Sequence, residues 1–447
     1  MLTPPLCNRK TFCAKTKYNP DACLTCVNAN FSASRGARAE VLATGFNVKF
    51  DFAPLVRGAS LCAVDIGTTT VTGVIFDAQG EQIAKTGFLN PQKKYGLDVI
   101  ARIEACNKGK LPELQTLLMT EIDKFIAGRD VRHILLSGNP TMEHIAAGVS
   151  PYSIGIAPYA PQFTRTRTAA FADCGLTGEG TATLMPNVSG FIGGDIVSGI
   201  LACGLEKADK TILFLDFGTN GEIVLSKRGE LYGCSTAAGP AFEGGNIACG
   251  SHAHDKAICN AKTEGGKIVV DRPDGVSIAG GAVIDCAAAF LDLNIIDETG
   301  AIDAGAGGAN IFELNGEPAV RLNARVYISQ RDLREVQLAK SAVKAGVMTL
   351  LDAAKIGAAE VDEVYIAGGF GMALNPKSAE RISLFPPELR GKTRAVGNTS
   401  LTGAIMCVLN ADSLRRAQSI ADAVRYVELT NNDIFQNFYL TSITFED

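Results

Sequence analysis

Apolar residues recur along the chain in short runs that stop at Gly-, Asp- and Thr-rich turns. Residues 61–64 are apolar, Asp65-Ile66-Gly67-Thr68-Thr69-Thr70 follows, and 71–76 is apolar again. Residues 212–215 repeat the scheme, with Asp216-Phe217-Gly218-Thr219-Asn220 leading into 222–225. Short apolar runs bounded by turn residues predict strands, so each stretch predicts strand, tight turn, strand. Elsewhere the spacing is helical: Val99, Ile100 and Ile103; Leu114, Leu117, Leu118, Ile122 and Phe125; Val336, Ala339, Val343, Val347 and Leu350. Further strands are predicted at 134–136 and 361–366, and helices at 196–203 and through Leu401, Ile405, Met406 and Leu409. The tail, 427–447, reads as strand-like segments. Strands alternating with helices predict an α/β chain.

The two turns carry the candidate chemistry. A glycine lets backbone N–H groups converge on one small volume, and Gly67, Thr68, Thr69 and Thr70 would supply such donors to an anion, as would Gly218, Thr219 and Asn220. Asp65 and Asp216, at the strand ends, suit the magnesium that accompanies nucleotide phosphates, usually held through water. One such turn reads equally well as a polar hairpin. Two copies predict a duplicated unit whose turns face each other across a cleft. A third turn, Gly368-Gly369-Phe370-Gly371, would let a base and ribose approach the backbone closely. Gly239 and Glu243, in the small-residue run 234–245, are further candidates, as is Glu222. Asp195 opens the helix at 196–203 and reads either as its cap or as a second carboxylate that orients water. Asn139 and Thr141 read as a ligand contact or a helix cap, and His144 as structural.

Composition narrows the classes. The chain has 447 residues, 47% hydrophobic and 20% charged, with a net charge of −5. That suits two or three cores and gives no basic footprint for nucleic acid. No apolar run reaches the length of a membrane span and the first residues lack a signal-peptide pattern, so the cytoplasm is the expected location.

Four of the 13 cysteines fall within the first 26 residues, as Cys7, Cys13, Cys23 and Cys26. Residues 1–60 therefore read as a Cys-rich segment, 61–205 as the first α/β half and 206–447 as the second. Four thiolates suit an iron–sulfur cluster or a structural zinc, and the spacing does not choose between them. An unmetallated leader is the third reading. The other nine cysteines, scattered singly, read as buried thiols. The stretch from Cys249 to Asp255, with His252 and His254, reads as an exposed loop. Arg331, Arg334 and Lys340 read either as phosphate or ribose contacts or as solvated helix charges.

Taken together, the motifs resemble a known superfamily, that of acetate and sugar kinases, heat-shock chaperones and actin. They are Asp65 through Thr70, Leu89-Asn90-Pro91-Gln92 with Tyr95-Gly96, Gly138-Asn139-Pro140-Thr141-Met142, and Pro186-Asn187 through Asp195. Asp216 through Glu222, Ser235 through Gly245, Arg331 through Lys340 and Ala367 through Gly371 complete the set. Within that superfamily the chain is most similar to the reductive activators of corrinoid proteins. The resemblance implies two duplicated ribonuclease H-like lobes around an ATP cleft. It implies catalytic roles for Asp65, Asp216 and Asp195, with ATP and Mg2+ as cofactors. It also implies an iron–sulfur cluster and ATP-driven electron transfer that restores the cobalt(II) form of a corrinoid protein to cobalt(I). The partners would be the corrinoid protein of a methyltransferase system, or another low-potential metalloenzyme, and an electron donor such as ferredoxin; a homodimer is the oligomer considered. The N-terminal cysteines depart from plant-type ferredoxin spacing, and Gly280-Gly281-Ala282 stands where a Gly-Ser-Gly turn is usual. A small-molecule kinase of the same superfold and an ATP-dependent binding module with structural zinc are the alternatives.

Overall fold

The apolar runs become two sheets with helices packed on them. The structure, a computed structural model, describes residues 30–33, 38–43, 46–218, 220–306, 310–368, 371 and 374–446. Cys7, Cys13, Cys23, Cys26, Thr219 and Gly369 lie outside the described residues. The chain divides into two compact units. One holds the described residues up to Ala208 with Arg228–Leu231 and Val396–Tyr426; the other holds Asp209–Lys227, Tyr232–Ala395 and the residues from Val427 onward.

Three strands precede the first unit's main sheet: β1 (Asn30–Ala33), β2 (Arg38–Ala43) and β3 (Phe46–Asp51), an antiparallel meander. The main sheet comprises β4 (Ser60–Ile66), β5 (Thr70–Phe76), β6 (Gln82–Leu89), β7 (Val131–Gly138), β8 (Arg167–Ala170) and β9 (Thr181–Leu184), in the order β6-β5-β4-β7-β9-β8. β4 runs antiparallel to β5 and parallel to β7. It is central and covered on both faces, so Leu61, Cys62, Ala63 and Val64 form a continuous apolar run rather than an alternating one.

Helix α1 (Val99–Ala105) is capped by Asp98, whose Oδ1 accepts from the Ala101 N–H. Helix α2 (Leu111–Ile126) buries Leu114, Leu118, Met119, Ile122 and Ile126 against Cys62, Val64, Ile66, Val71 and Ile75. Next come α3 (Pro140–Ala146) and α4 (Gly194–Cys203).

The second unit is built on β10 (Thr211–Phe217), β11 (Gly221–Lys227), β12 (Glu230–Thr236) and β13 (Glu363–Ala367). Their order, β12-β11-β10-β13, repeats β6-β5-β4-β7. In both units the first strand is antiparallel to the second and parallel to the fourth. The duplication expected from the paired turns is therefore present in the topology.

Helices α5 (Gly280–Asp292) and α6 (Gln330–Ala354) build this unit's core with Leu213, Leu215, Ile223 and Leu225. A reciprocal capping box between Ser329 and Asp332 starts α6. Lys340 is not a solvated charge: it is fully buried, and its Nζ donates to the Thr444 carbonyl. Arg334 donates to Gln337 Oε1 on its own helix.

After α7 (Pro376–Arg381) come α8 (Thr399–Leu409) and α9 (Ala411–Ala423), which belong to the first unit although they lie in the 206–447 segment. α8 packs on α4, β4 and β7. The tail differs from its strand-like reading, since Asp433–Thr441 is helix α10, capped by Asn432 and packed on α6. Phe435, Phe438 and Tyr439 recur at helical spacing there, and packing overrides the strand preference of aromatic residues. Among the described residues no helix is long and apolar enough to cross a membrane.

Candidate functional site

The turn between β4 and β5 is held from one side. The Gly67 carbonyl accepts from Asn90 Nδ2 at 2.9 Å, the Thr68 carbonyl from Arg102 Nη2 at 2.5 Å, and the Thr69 carbonyl from the Asn90 N–H at 2.9 Å. C=O and N–H point in opposite directions across a trans peptide. Fixing the Gly67 and Thr68 carbonyls thus turns the N–H groups of Thr68 and Thr69 to the opposite side. Neither has an acceptor among the described residues, which is the arrangement an anion requires. Gly67 is obligatory here, because an added Cβ would lie 2.5 Å from the Thr70 carbonyl oxygen.

The Leu89-Asn90-Pro91-Gln92 motif builds this support. Asn90 and Gln92 are fully buried, and Gln92 Nε2 donates to the Leu114 carbonyl. Asn139 caps α3 through the Met142 N–H, as the cap reading has it, and donates from Nδ2 to Thr68 Oγ1 at 3.1 Å. His144 is structural: Nδ1 meets the Pro140 carbonyl, Nε2 accepts from the Gln162 N–H, and the ring stacks on Phe163.

Asp65 ends β4, opposite Thr72 and beside Ser137. Its Oδ1 accepts from Ser400 Oγ at 2.7 Å, and its Oδ2 from Asn398 Nδ2 at 2.8 Å and Thr72 Oγ1 at 3.5 Å. Burial pushes its pKa up, and these three donors pull it back. Ser137 Oγ lies 3.0 Å from both Ser400 Oγ and Ser198 Oγ. Since a carboxylate only accepts, Ser400 donates to it, Ser137 donates to Ser400, and Ser198 donates to Ser137.

Asp195 lies in the first turn of α4, one position past the start. Gly193 occupies the cap, and Asp195 Oδ1 accepts from the Ile196 N–H at 2.8 Å. Burial raises its pKa to about 7, the Ile196 bond opposes that rise, and the nearby Asp65 charge adds to it.

Glu143, on α3, is a third carboxyl that the sequence did not single out. It is fully buried, with Oε2 accepting from Asn187 Nδ2 at 2.8 Å and Oε1 without a partner among the described residues. Burial holds its pKa well above the usual carboxylate range, with the Asp195 charge as a further cause. An acidic residue two places after Thr141, in a short helix with Met142, Ile145 and Ala146, was the available signal.

In the second unit Asp216 ends β10 opposite Glu222 and beside Ala367. Gly368 follows with φ of 76°, and a Cβ there would come 2.6 Å from Asp216 Oδ1. Gly368, which opens the third Gly-rich turn, is thus packed directly on the Asp216 carboxylate. The Gly218 N–H donates to the Asn220 carbonyl at 3.0 Å, closing the turn, and Ser235 Oγ donates to Glu222. Gly239 precedes a short 3-10 turn, Pro240–Glu243, which ends at the partly buried Glu243. Gly280, at the start of α5, packs against the Phe242 carbonyl. Gly371 packs against Ile366.

No group of three or more His, Cys, Asp or Glu among the described residues is arranged to hold a metal. His254 meets Ser277 Oγ through Nε2 and accepts the Lys256 N–H through Nδ1, while His252 is exposed.

Comparison with known proteins covers both units. Residues 210–447 match the family described as the C-terminal domain of RACo, the ASKHA domain, and residues 61–208 match the RACo middle region. The corrinoid activation enzyme RamQ of Eubacterium limosum is 30% identical over 417 residues, covering 86% of this chain and 70% of that protein. The [Co(II) methylated amine-specific corrinoid protein] reductase of Methanosarcina barkeri is 27% identical over 287 residues, 58% of this chain and 51% of that protein. The chain thus matches about half the length of that reductase. The solved structure of a reductive activator for a corrinoid, iron-sulfur protein superposes with a TM-score of 0.76 at 30% identity, covering 91% of this chain and 69% of the other. With both units matched and the duplicated strand order in place, the chain belongs to the RACo family of corrinoid-protein reductive activators.

Proposed function

We propose that this protein uses Mg-ATP to drive reduction of a corrinoid protein from cobalt(II) to cobalt(I). Family membership across both units carries the reading. The Thr68 turn, with its carbonyls fixed on one side, supports the nucleotide part of it.

The Asp65 carboxylate, oriented by Asn398, Ser400 and Thr72, suits a water of the magnesium shell. Asp216, against Gly368, has the same place in its own unit. Asp195, with a pKa of about 7, is matched to taking a proton from an attacking water near neutral pH. The N–H groups of Thr68 and Thr69 would hold phosphate oxygens.

Electron transfer requires a cofactor, because no side chain here is a one-electron reductant at the needed potential. Four thiolates are the soft donor set that an iron–sulfur cluster takes, and Cys7, Cys13, Cys23 and Cys26 would hold it. Such a cluster supplies the single electron passed to cobalt. A ferredoxin-type donor would recharge the chain. The nucleotide would hold a redox-competent complex that is rarely populated without it.

The test is anaerobic. The purified chain is mixed with a cobalt(II) corrinoid protein and a low-potential donor, with and without Mg-ATP, and the cobalt(I) absorption is followed. Cobalt(I) appearing only with Mg-ATP is expected. Cobalt(I) formed equally fast without nucleotide would remove the ATP step, and phosphate transfer to a metabolite would favour a kinase.

A further inference from the structure

Arg102 heads the fully buried side chains of the described residues, with 0% of its surface exposed. Its guanidinium is bonded entirely to neutral acceptors. Nη2 donates to the Thr68 carbonyl, Nε to the Gly96 carbonyl at 3.2 Å, and Nη1 to Gln92 Oε1 at 3.2 Å, with Met142 Sδ 3.1 Å away. No carboxylate lies within ion-pair distance of it among the described residues. The charge of Asp98 acts on it from a distance, and that carboxylate is engaged in capping α1. Burial lowers its pKa to about 10, so the group stays charged at neutral pH. A buried charge without a counter-ion is strongly unfavourable, and one so placed calls for a compensating anion.

The location supplies that anion. The bond from Nη2 to the Thr68 carbonyl fixes the peptide that turns the Thr69 N–H outward. The guanidinium therefore lies behind the anion-facing turn, beneath the groups that would receive a phosphate. We infer that Arg102 is the fixed positive charge of the Thr68 turn, and that its counter-ion is the phosphate chain of the bound nucleotide. It does so as a positioning residue: it orients the turn and adds an electrostatic field, while the N–H groups make the contact. This rests on the nucleotide reading of the turn. A Lys would keep the charge but lose the fork that reaches Thr68, Gly96 and Gln92 together.

The experiment measures binding of Mg-ATP, Mg-ADP and adenosine to the full chain and to Arg102→Met and Arg102→Lys, with thermal melts in parallel. For Arg102→Met, Mg-ATP affinity should fall ~10- to 100-fold, the scale of losing a charged hydrogen-bonding group. Mg-ADP should fall less, and adenosine should hold within about twofold. Arg102→Lys should keep the preference of ATP over ADP over adenosine at reduced affinity. Equal losses for all three ligands in a folded Arg102→Met protein would overturn the inference, because a merely structural role predicts no grading by ligand charge. So would unchanged Mg-ATP binding. If Arg102→Met does not fold, Arg102→Lys decides: loss of its preference for ATP over adenosine overturns the inference. A wild-type chain that binds none of the nucleotides would instead defeat the nucleotide reading of the turn, and the inference with it.

Discussion

The Asp65 charge raises the pKa of Asp195, yet the surroundings of the two carboxyls differ sharply. Three side-chain donors converge on Asp65, whereas Asp195 has the backbone N–H of Ile196 and sits near the Asp65 charge. The difference suits two roles, one carboxylate oriented by its donors, the other poised to exchange a proton. If Asp195 is the base, ATP hydrolysis should rise as pH passes through about 7, and Asp195→Asn should remove that rise from the pH–rate profile. The stability effect has the opposite sense. A folded-state pKa above the unfolded value means the folded chain binds more protons, so this contribution is present at low pH and lost as pH rises through about 7. Asp195→Asn should therefore melt roughly 2–4 °C higher than wild type at pH 8, with little difference at pH 4. A variant that hydrolyses ATP with an unchanged pH profile would rule out the base role.

Helix α8 joins the Asp65 carboxylate to the body of the first unit. Asn398 caps α8 through the Leu401 N–H and also donates to Asp65, whereas Ser400 donates to Asp65 without capping. The two residues separate helix stability from site chemistry. Asn398→Ala should cost ~1 kcal/mol or more in stability, the usual loss for a cap. Ser400→Ala, which removes no cap, should lower the melting temperature by less than Asn398→Ala while slowing ATP hydrolysis at least about tenfold, through loss of a hydrogen bond to a charged group. Equal melting of the two variants would contradict this assignment. At the other end of α8, Ala53 pairs with Leu409 and Ala411, and Asn410 donates to the Asp51 carbonyl, so the strand leading out of the N-terminal segment is fastened there.

In the second unit α6 holds the chain's end through a buried lysine. Burial brings the pKa of Lys340 down to about 7, and Lys344 contributes. The folded chain then binds fewer protons than the unfolded one between about 7 and the ordinary lysine value, so stability from this group rises with pH across that window. Lys340→Met should melt higher than wild type at about pH 6.5, and the gap should narrow by about pH 9.5; thermal melts at both ends check it.

Each unit repeats one strand order and carries its own Asp near the end of its first strand. On the proposed reading, nucleotide work would rest on residues 61–446 and electron delivery on the four N-terminal cysteines. A double variant, Cys23→Ser with Cys26→Ser, should lose cobalt(I) formation and iron content while binding Mg-ATP within about twofold of wild type. Retained iron and retained reduction would move the redox centre elsewhere. Asp216→Asn should have the reverse profile, with the iron kept and ATP turnover lost.

Local sequence carried the strands and turns because their causes are local. An apolar run closed by Asp, Gly and Thr can hardly be anything but a strand entering a tight turn, and its recurrence at 65 and 216 disclosed the duplication. Gly67 and Gly368 were legible for the same reason, since close backbone approach excludes a side chain. The tail reads as strand because aromatic residues favour strands in isolation, whereas α6 supplies the surface that makes 433–441 helical. Two of the three donors to Asp65 were not legible. Asn398 and Ser400 lie more than 300 positions away, at 333 and 335 residues' separation, and nothing in a local pattern joins them. Arg102 and Glu143 escaped for a related reason: a charged residue in a helix reads as solvated, and burial is a property of packing. Protonation followed the same division, because the shifts at Asp195 and Glu143 arise from desolvation and neighbouring charge. Residue types and spacing thus set the strands, the turns and the candidate chemistry, while long-range packing chose the partners and the ionisation of the groups that would perform it.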